Sequence, residues 1–264
     1  AAADFVGGTM EIIKRAEATE AAGVLVCGAV FMTGEIRRRR PDLPLITPRG
    51  DLSCPLAEAV SPAEAAEAIR RHPEALVVAD VKATPEIKAL ADLQATPETA
   101  AATLARTAGR ELIMLPGAYL ADLAGYGERV VHRWPKAVCQ VHELALPEDL
   151  AAARAEHPRA PAAVNMLCRP EVRAMADFVG DAAGIRRFCA ESRAREFIVV
   201  SEAGLAEFLS ETLPGKIFYE TEAEIFCPNM KLTNLKTIIT ALAESPDPSR
   251  LRAPDARQGR GAEL

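Results

Sequence analysis

Three cysteines, Cys54, Cys139 and Cys227, lie 85 and 88 positions apart, and each closes one copy of a repeating pattern. Thiolates are soft ligands suited to iron–sulfur clusters, and three of them leave one iron of a four-iron cluster without a protein ligand. Such an open iron can act as a Lewis acid on a hydroxyl or carboxylate. Spacing alone leaves zinc open as well, with His142, three residues after Cys139, as a fourth ligand. Recurrence of an isolated cysteine at one point in every copy argues against coincidence. Cys27, Cys168 and Cys189 have no counterparts at that interval; their apolar contexts predict buried small hydrophobes.

Other landmarks keep the same register. Asp4, Asp92 and Asp177 each follow Ala and precede an apolar residue, at intervals of 88 and 85. Pro85-Glu86-Ile87-Lys88 matches Pro170-Glu171-Val172-Arg173, and His72-Pro73 matches His157-Pro158, both at 85. A fixed period of this length means one supersecondary unit used three times, and copies set around a common centre bring equivalent positions together there. The first copy starts at Ala3-Asp4, without the opening strand that precedes Ala-Asp in the others. The chain, which begins on Ala, therefore reads as lacking roughly 25 to 30 N-terminal residues, the length of that half-unit.

The elements that must position the cysteines follow from hydrophobic periodicity. Ala75 to Ala79 and Pro161 to Val164 predict opening strands of copies two and three. Val24 to Val26, Leu112 to Leu115 and Phe197 to Val200 are aliphatic runs, as buried parallel strands are. Helical spacing follows in Val30 to Arg40, Tyr119 to Gly125 and Gly204 to Thr212, and then further strands in Leu43 to Thr47, Arg129 to His132 and Lys216 to Tyr219. Alternation of this kind predicts an α/β fold: three αβα, Rossmann-like units with parallel sheets, related by a pseudo-threefold around a central cluster site. The cysteines fall at the carboxyl ends of strands, where such sheets bind ligands. Expected boundaries are 1–61, 62–147 and 148–244, followed by a Pro- and Arg-rich tail over 245–264 that reads as disordered.

Composition narrows the class. A net charge of −6 leaves no basic footprint for nucleic acid, and no apolar run reaches the ~18 residues of a membrane span. The run Arg37 to Arg40 lies where cations complement a helix C-terminus. Six cysteines without paired short spacing do not read as a secreted disulfide framework, so a reduced, cytoplasmic protein is expected.

The segments Asp4-Phe5-Val6-Gly7, Cys27-Gly28-Ala29-Val30-Phe31-Met32, Cys54-Pro55-Leu56-Ala57-Glu58, Trp134 through Cys139 to Val141-His142-Glu143, Ala176-Asp177-Phe178-Val179-Gly180 and Cys227-Pro228-Asn229-Met230-Lys231 together resemble quinolinate synthase, in order, from Ala3 to about Leu242. The resemblance implies a pseudo-threefold enzyme whose cysteines, here Cys54, Cys139 and Cys227, hold a [4Fe-4S] cluster with one open iron. It implies condensation of iminoaspartate with dihydroxyacetone phosphate to quinolinate for NAD synthesis, with an L-aspartate oxidase as the partner that supplies iminoaspartate. His142 matches an active-site histidine, suited to acid/base work or substrate contact. Thr9 stands for a phosphate-facing serine after Gly7-Gly8, at a helix start that favours anions and equally favours a cap.

Departures from the family pattern gather on the substrate side. A Tyr-Val-Asn reads Asp80-Val81-Lys82, a Ser/Thr-rich turn reads Thr96-Pro97-Glu98, a His-Pro-Glu reads Asn165-Met166-Leu167 and a Ser-Thr-Ser-Gly reads Asp181-Ala182-Ala183-Gly184. Substrate contacts would then fall to Thr9, Asp80, Lys82 and Asn165. Asp80, Glu98 and Asp181 add carboxylates where anionic substrates would bind, and like charges at close range oppose that binding. These changes predict weakened quinolinate synthesis, with two alternatives: a dehydratase or lyase for a less anionic substrate, or a silent cluster-binding homologue.

Overall fold

The computed structural model describes residues 3–96, 99–107, 111–119, 122 and 128–244. The first copy contributes α1 (Thr9–Glu17), β1 (Val24–Leu25), α2 (Val30–Arg39) and β2 (Leu45–Ile46). The second contributes α3 (Pro62–Arg71), β3 (Leu76–Asp80), α4 (Pro85–Lys88), β4 (Leu93–Ala95), α5 (Ala100–Ala105), β5 (Glu111–Leu115) and β6 (Val130–His132). The third contributes α6 (Pro147–Glu156), β7 (Ala162–Asn165), α7 (Pro170–Ala174), β8 (Phe178–Gly180), α8 (Ala182–Glu191), β9 (Glu196–Val200), α9 (Gly204–Thr212) and β10 (Ile217–Tyr219), and the short α10 (Pro228–Lys231) and α11 (Leu235–Glu244) follow. Proline opens α3, α4, α6 and α7, where its missing N–H costs nothing and its fixed φ suits the first turn. The expected helix over 119–125 and the tail over 245–264 lie mostly or wholly outside the described residues.

All strand pairs in the three sheets are parallel. The second sheet runs β4-β3-β5-β6 and the third β8-β7-β9-β10, so each places its strands in the order second, first, third, fourth. The first sheet is β1 beside β2, the counterparts of the third and fourth strands. Strand alternation sends residues to both faces of the four-stranded sheets. Val77, Ala79, Ile113 and Leu115 meet Ala65 of α3 and Ile87 of α4, while Val78, Leu112 and Met114 meet Ala100 and Leu104 of α5. In the third sheet Ala162, Val164, Ile198 and Val200 meet α6 and α7, and Ala163, Phe197 and Val199 meet α8 and Leu209 of α9. The chain forms two compact units. One comprises Thr9–Ala137 with the segment from Pro228 and holds the first two sheets; the other comprises the segment up to Gly8 with Val138–Cys227 and holds the third.

The repeat is visible in polar devices as well as strand order. Asp92 accepts a hydrogen bond from the Val77 N–H at 2.9 Å, and Asp177 accepts one from the Ala162 N–H at 2.7 Å. Each clasps the second strand's entry to the start of the first strand, which gives the recurrent Ala-Asp a structural role. Burial opposes ionisation of Asp177, but the Ala162 N–H and Arg154 hold its carboxyl below the usual range. A cation caps the C-terminus of the helix before the third strand in every copy. Arg40 donates to the Glu17 and Thr19 carbonyls after α1, Arg129 to the Thr107 carbonyl after α5, and Lys216 to the Cys189, Ser192 and Ala194 carbonyls around the end of α8. Gly215, at φ 88°, makes the turn that delivers Lys216.

The first two sheets share a buried ion cluster. Glu35 of α2 is 2% exposed and meets Arg38 Nη2 at 2.8 Å, Arg39 Nε at 3.2 Å and Lys88 Nζ of α4 at 3.0 Å. Burial by itself would raise the Glu35 pKa, but Arg38 and Lys88 together outweigh it and hold it at about 2. Because the folded value lies below the unfolded one, the stabilisation is complete above the ordinary carboxylate pKa and is lost as pH falls toward 2. Glu35→Gln should cost about 3 kcal/mol at neutral pH, since it strands the Lys88 ammonium. Urea unfolding checks this, and the gap between wild type and variant should shrink as pH falls from 5 toward 2; a gap independent of pH would contradict the assignment.

Candidate functional site

In each copy the chain leaves the fourth strand and soon enters a turn of helix at a cysteine. The Cys54 carbonyl accepts from the Ala57 and Glu58 N–H groups, the Cys139 carbonyl accepts from the Glu143 N–H at 3.0 Å, and Cys227 immediately precedes α10. Pro55 and Pro228 stand at the first position of two of these turns, where proline favours the start of a helix. All three cysteines are half-buried, and none of the six is in a disulfide. The Asn229 side chain, two residues past Cys227, donates from Nδ2 to the Ser53 carbonyl at 3.0 Å and so ties α10 to the segment that carries Cys54.

His142 lies in the one-turn 3-10 helix His142–Leu144 and is 8% exposed, with Nδ1 3.2 Å from the Cys139 Sγ. Arg169 steadies this turn by donating Nε to the Glu143 carbonyl at 2.9 Å, with its guanidinium 3.5 Å from the Glu143 carboxylate. Glu202, which the sequence reading did not single out, contacts one of the cysteine segments. It follows β9, is 8% exposed, accepts from the Gly204 N–H at 2.9 Å and receives the Cys227 N–H at 3.4 Å. The available signal was an acidic residue just past the carboxyl end of an aliphatic strand.

Of the expected substrate contacts, Asp80 and Asn165 occupy the same place, the last residue of β3 and of β7. Each closes an Asx turn: Asp80 accepts from the Lys82 N–H at 2.8 Å and Asn165 from the Leu167 N–H at 3.0 Å. Lys82 Nζ stands 3.7 Å from the Asp80 carboxylate, and Asn165 Nδ2 donates to Ser201 Oγ at 3.1 Å. Asp181 caps α8 by accepting from the Gly184 N–H at 2.7 Å. Thr96 exchanges hydrogen bonds with Thr99 just before α5, and Thr9 opens α1. Two of the three added carboxylates are thus committed to a turn with its own lysine and to a helix cap; Glu98 lies outside the described residues.

The donor chemistry distinguishes the cysteines. Cys168 and Cys189 are fully buried. Burial, with Cys139 as a lesser contributor, pushes the Cys168 thiol up to about 12, and burial pushes Cys189 up to about 11. Both stay protonated and serve as small hydrophobes. Cys27 departs from the expected burial: it is exposed, because β1 ends at Leu25 and the chain has already left the sheet for the Cys27-Gly28 turn. Cys54, Cys139 and Cys227 are each half-buried and Cys27 is exposed, so these four sulfurs are reachable, as soft-metal ligation requires.

Comparison with known proteins bears on this arrangement. The family described as Quinolinate synthetase A protein matches residues 1–259. A quinolinate synthase of Thermodesulfovibrio yellowstonii is 33% identical over 264 residues, covering 97% of this chain and 87% of the relative. One of Methanoregula boonei is 34% identical over 254 residues, covering 96% and 83%. Quinolinate synthase 1 of Methanosarcina acetivorans is 30% identical over 261 residues, covering 96% and 86%.

Proposed function

We propose, because this chain belongs to the quinolinate synthase family, that it condenses iminoaspartate with dihydroxyacetone phosphate to quinolinate, with Cys54, Cys139 and Cys227 holding a [4Fe-4S] cluster. The observation that carries the reading is the half-buried cysteine that enters a helical turn beyond the last strand of each sheet, three times in one chain. When bound, the cluster would supply a Lewis-acidic iron for a substrate hydroxyl or carboxylate.

The protein's own groups do the rest. His142 Nδ1 lies 3.2 Å from the Cys139 sulfur; with the Nδ1 proton directed at that sulfur, Nε2 would be the nitrogen that accepts or returns a proton. The Lys82 ammonium brings positive charge for anionic substrates, while Asp80 orients it. Asn165, fixed by Ser201, and Thr9, at the start of α1, offer amide and hydroxyl contacts. Lys82 beside Asp80 offsets one of the added carboxylates, which supports this reading over one built on a carboxylate-rich pocket hostile to anions.

The full chain, made without oxygen and given iminoaspartate and dihydroxyacetone phosphate, should form quinolinate at a rate of metabolic order, ~1 per second or above. A chain that binds its cluster but forms no quinolinate would overturn the reaction and favour a dehydratase or lyase on a less anionic substrate. One that binds no cluster would overturn the cofactor as well.

A further inference from the structure

The second sheet carries a cluster of metal-ligating side chains away from the cysteine segments. Parallel pairing sets Ile113 of β5 beside His132 of β6, so Glu111, two residues before Ile113, shares a face with His132. The same face is covered by α3 through Ala65 and Ile69. His72 ends that helix, its N–H bonded to the Ala68 and Ile69 carbonyls, and is held over the pair.

The three side chains are half-buried and their donor atoms lie within 4.8 Å of one another. His72 Nδ1 is 3.6 Å from one Glu111 oxygen and His132 Nε2 is 3.8 Å from the other. Ligands of a tetrahedral zinc ion, bonded at about 2.0–2.1 Å, sit roughly 3.3 Å apart, so small side-chain adjustments would close the set. His132 Nε2 is buried and makes no hydrogen bond among the described residues.

The third sheet supplies an internal comparison. There His157, at the equivalent helix end, stacks on Tyr219, the last residue of β10, with ring centroids 3.4 Å apart and 5° between planes. In the second sheet His72 stacks on His132 at 3.6 Å and 30°. A flat ring thus stands at this position in both copies, and in the third sheet it is a phenol. A second imidazole adds a ring nitrogen that the stack does not use.

We propose that His72, Glu111 and His132 form a second metal site for a borderline divalent ion of the zinc class, bound through two imidazoles and one carboxylate with solvent completing the shell. The site is independent of the cysteines and of the reaction proposed above.

Cobalt(II) is the probe, because its visible bands report ligand type. Titrated into the cluster-loaded full chain, it should bind one equivalent with weak nitrogen- and oxygen-type bands and no thiolate charge-transfer band, and should raise the melting temperature. His132→Tyr, which restores the third sheet's ring, should keep the metal-free melting temperature while weakening that binding about a hundredfold or more; Glu111→Gln, with the stack intact, should weaken it at least tenfold. Equal cobalt affinity in wild type and both variants, or uptake only with thiolate bands, would overturn the site.

Discussion

Chains carrying Cys54→Ser, Cys139→Ser or Cys227→Ser, purified without oxygen, are expected to be colourless, against a brown wild type with about four irons per chain. Each variant removes one of three thiolates, and a hydroxyl is a poor substitute for a soft ligand. Cys27→Ser, Cys168→Ala and Cys189→Ala should keep the colour: the first is exposed beyond β1, and the other two are protonated thiols in the core around the third sheet. Iron analysis with visible absorption decides the matter. A colourless wild type with stoichiometric zinc would replace the cluster by a zinc site.

Loss of the His142 ring should be nearly as severe for turnover while sparing the metal. His142→Ala is expected to lower the rate of quinolinate formation about a hundredfold to ten-thousandfold, the usual worth of a positioned acid or base. The iron content should stay close to wild type, because the cysteines remain. The fall should appear in kcat more than in KM, since a proton-transferring group acts in the transition state. A variant with wild-type kcat would reduce His142 to a neighbour that steadies the Cys139 sulfur.

Most of the strands and their parallel direction were legible in the sequence because they are aliphatic and the pattern occurs more than once; the three-residue β4 and β8, just past the Ala-Asp landmarks, were not expected. Gly204–Thr212 appears as the helix that its spacing predicts, and β3 and β7 fall within a residue of their expected runs. The α/β class and the three sheets followed from that alternation. What escaped was the use of polar side chains. Asp80 and Asp181 read as charges facing a ligand, and their short side chains also accept from the N–H groups of Lys82 and Gly184, a local use that residue type alone does not reveal. Asp92 and Asp177 read as repeat landmarks without a task, because the backbone N–H they accept lies fifteen residues earlier. Cys27 read as buried because its neighbours are apolar, whereas burial depends on where β1 ends. Glu202 and the pair of His72 and His132 needed the sheet to bring distant segments together.

The aspartate clasps and cationic helix plugs bear on how such a protein can change over generations. In the second and third copies the strand entries and helix ends are secured by groups inside the same copy: Asp92 and Arg129 in one, Asp177 and Lys216 in the other. The loops beyond the strand ends take no part in those clasps and plugs, so a loop residue that closes no turn or cap can be exchanged with little effect on the scaffold's stability. New specificities can be tried there one substitution at a time, on a frame that does not have to be rebuilt with each trial.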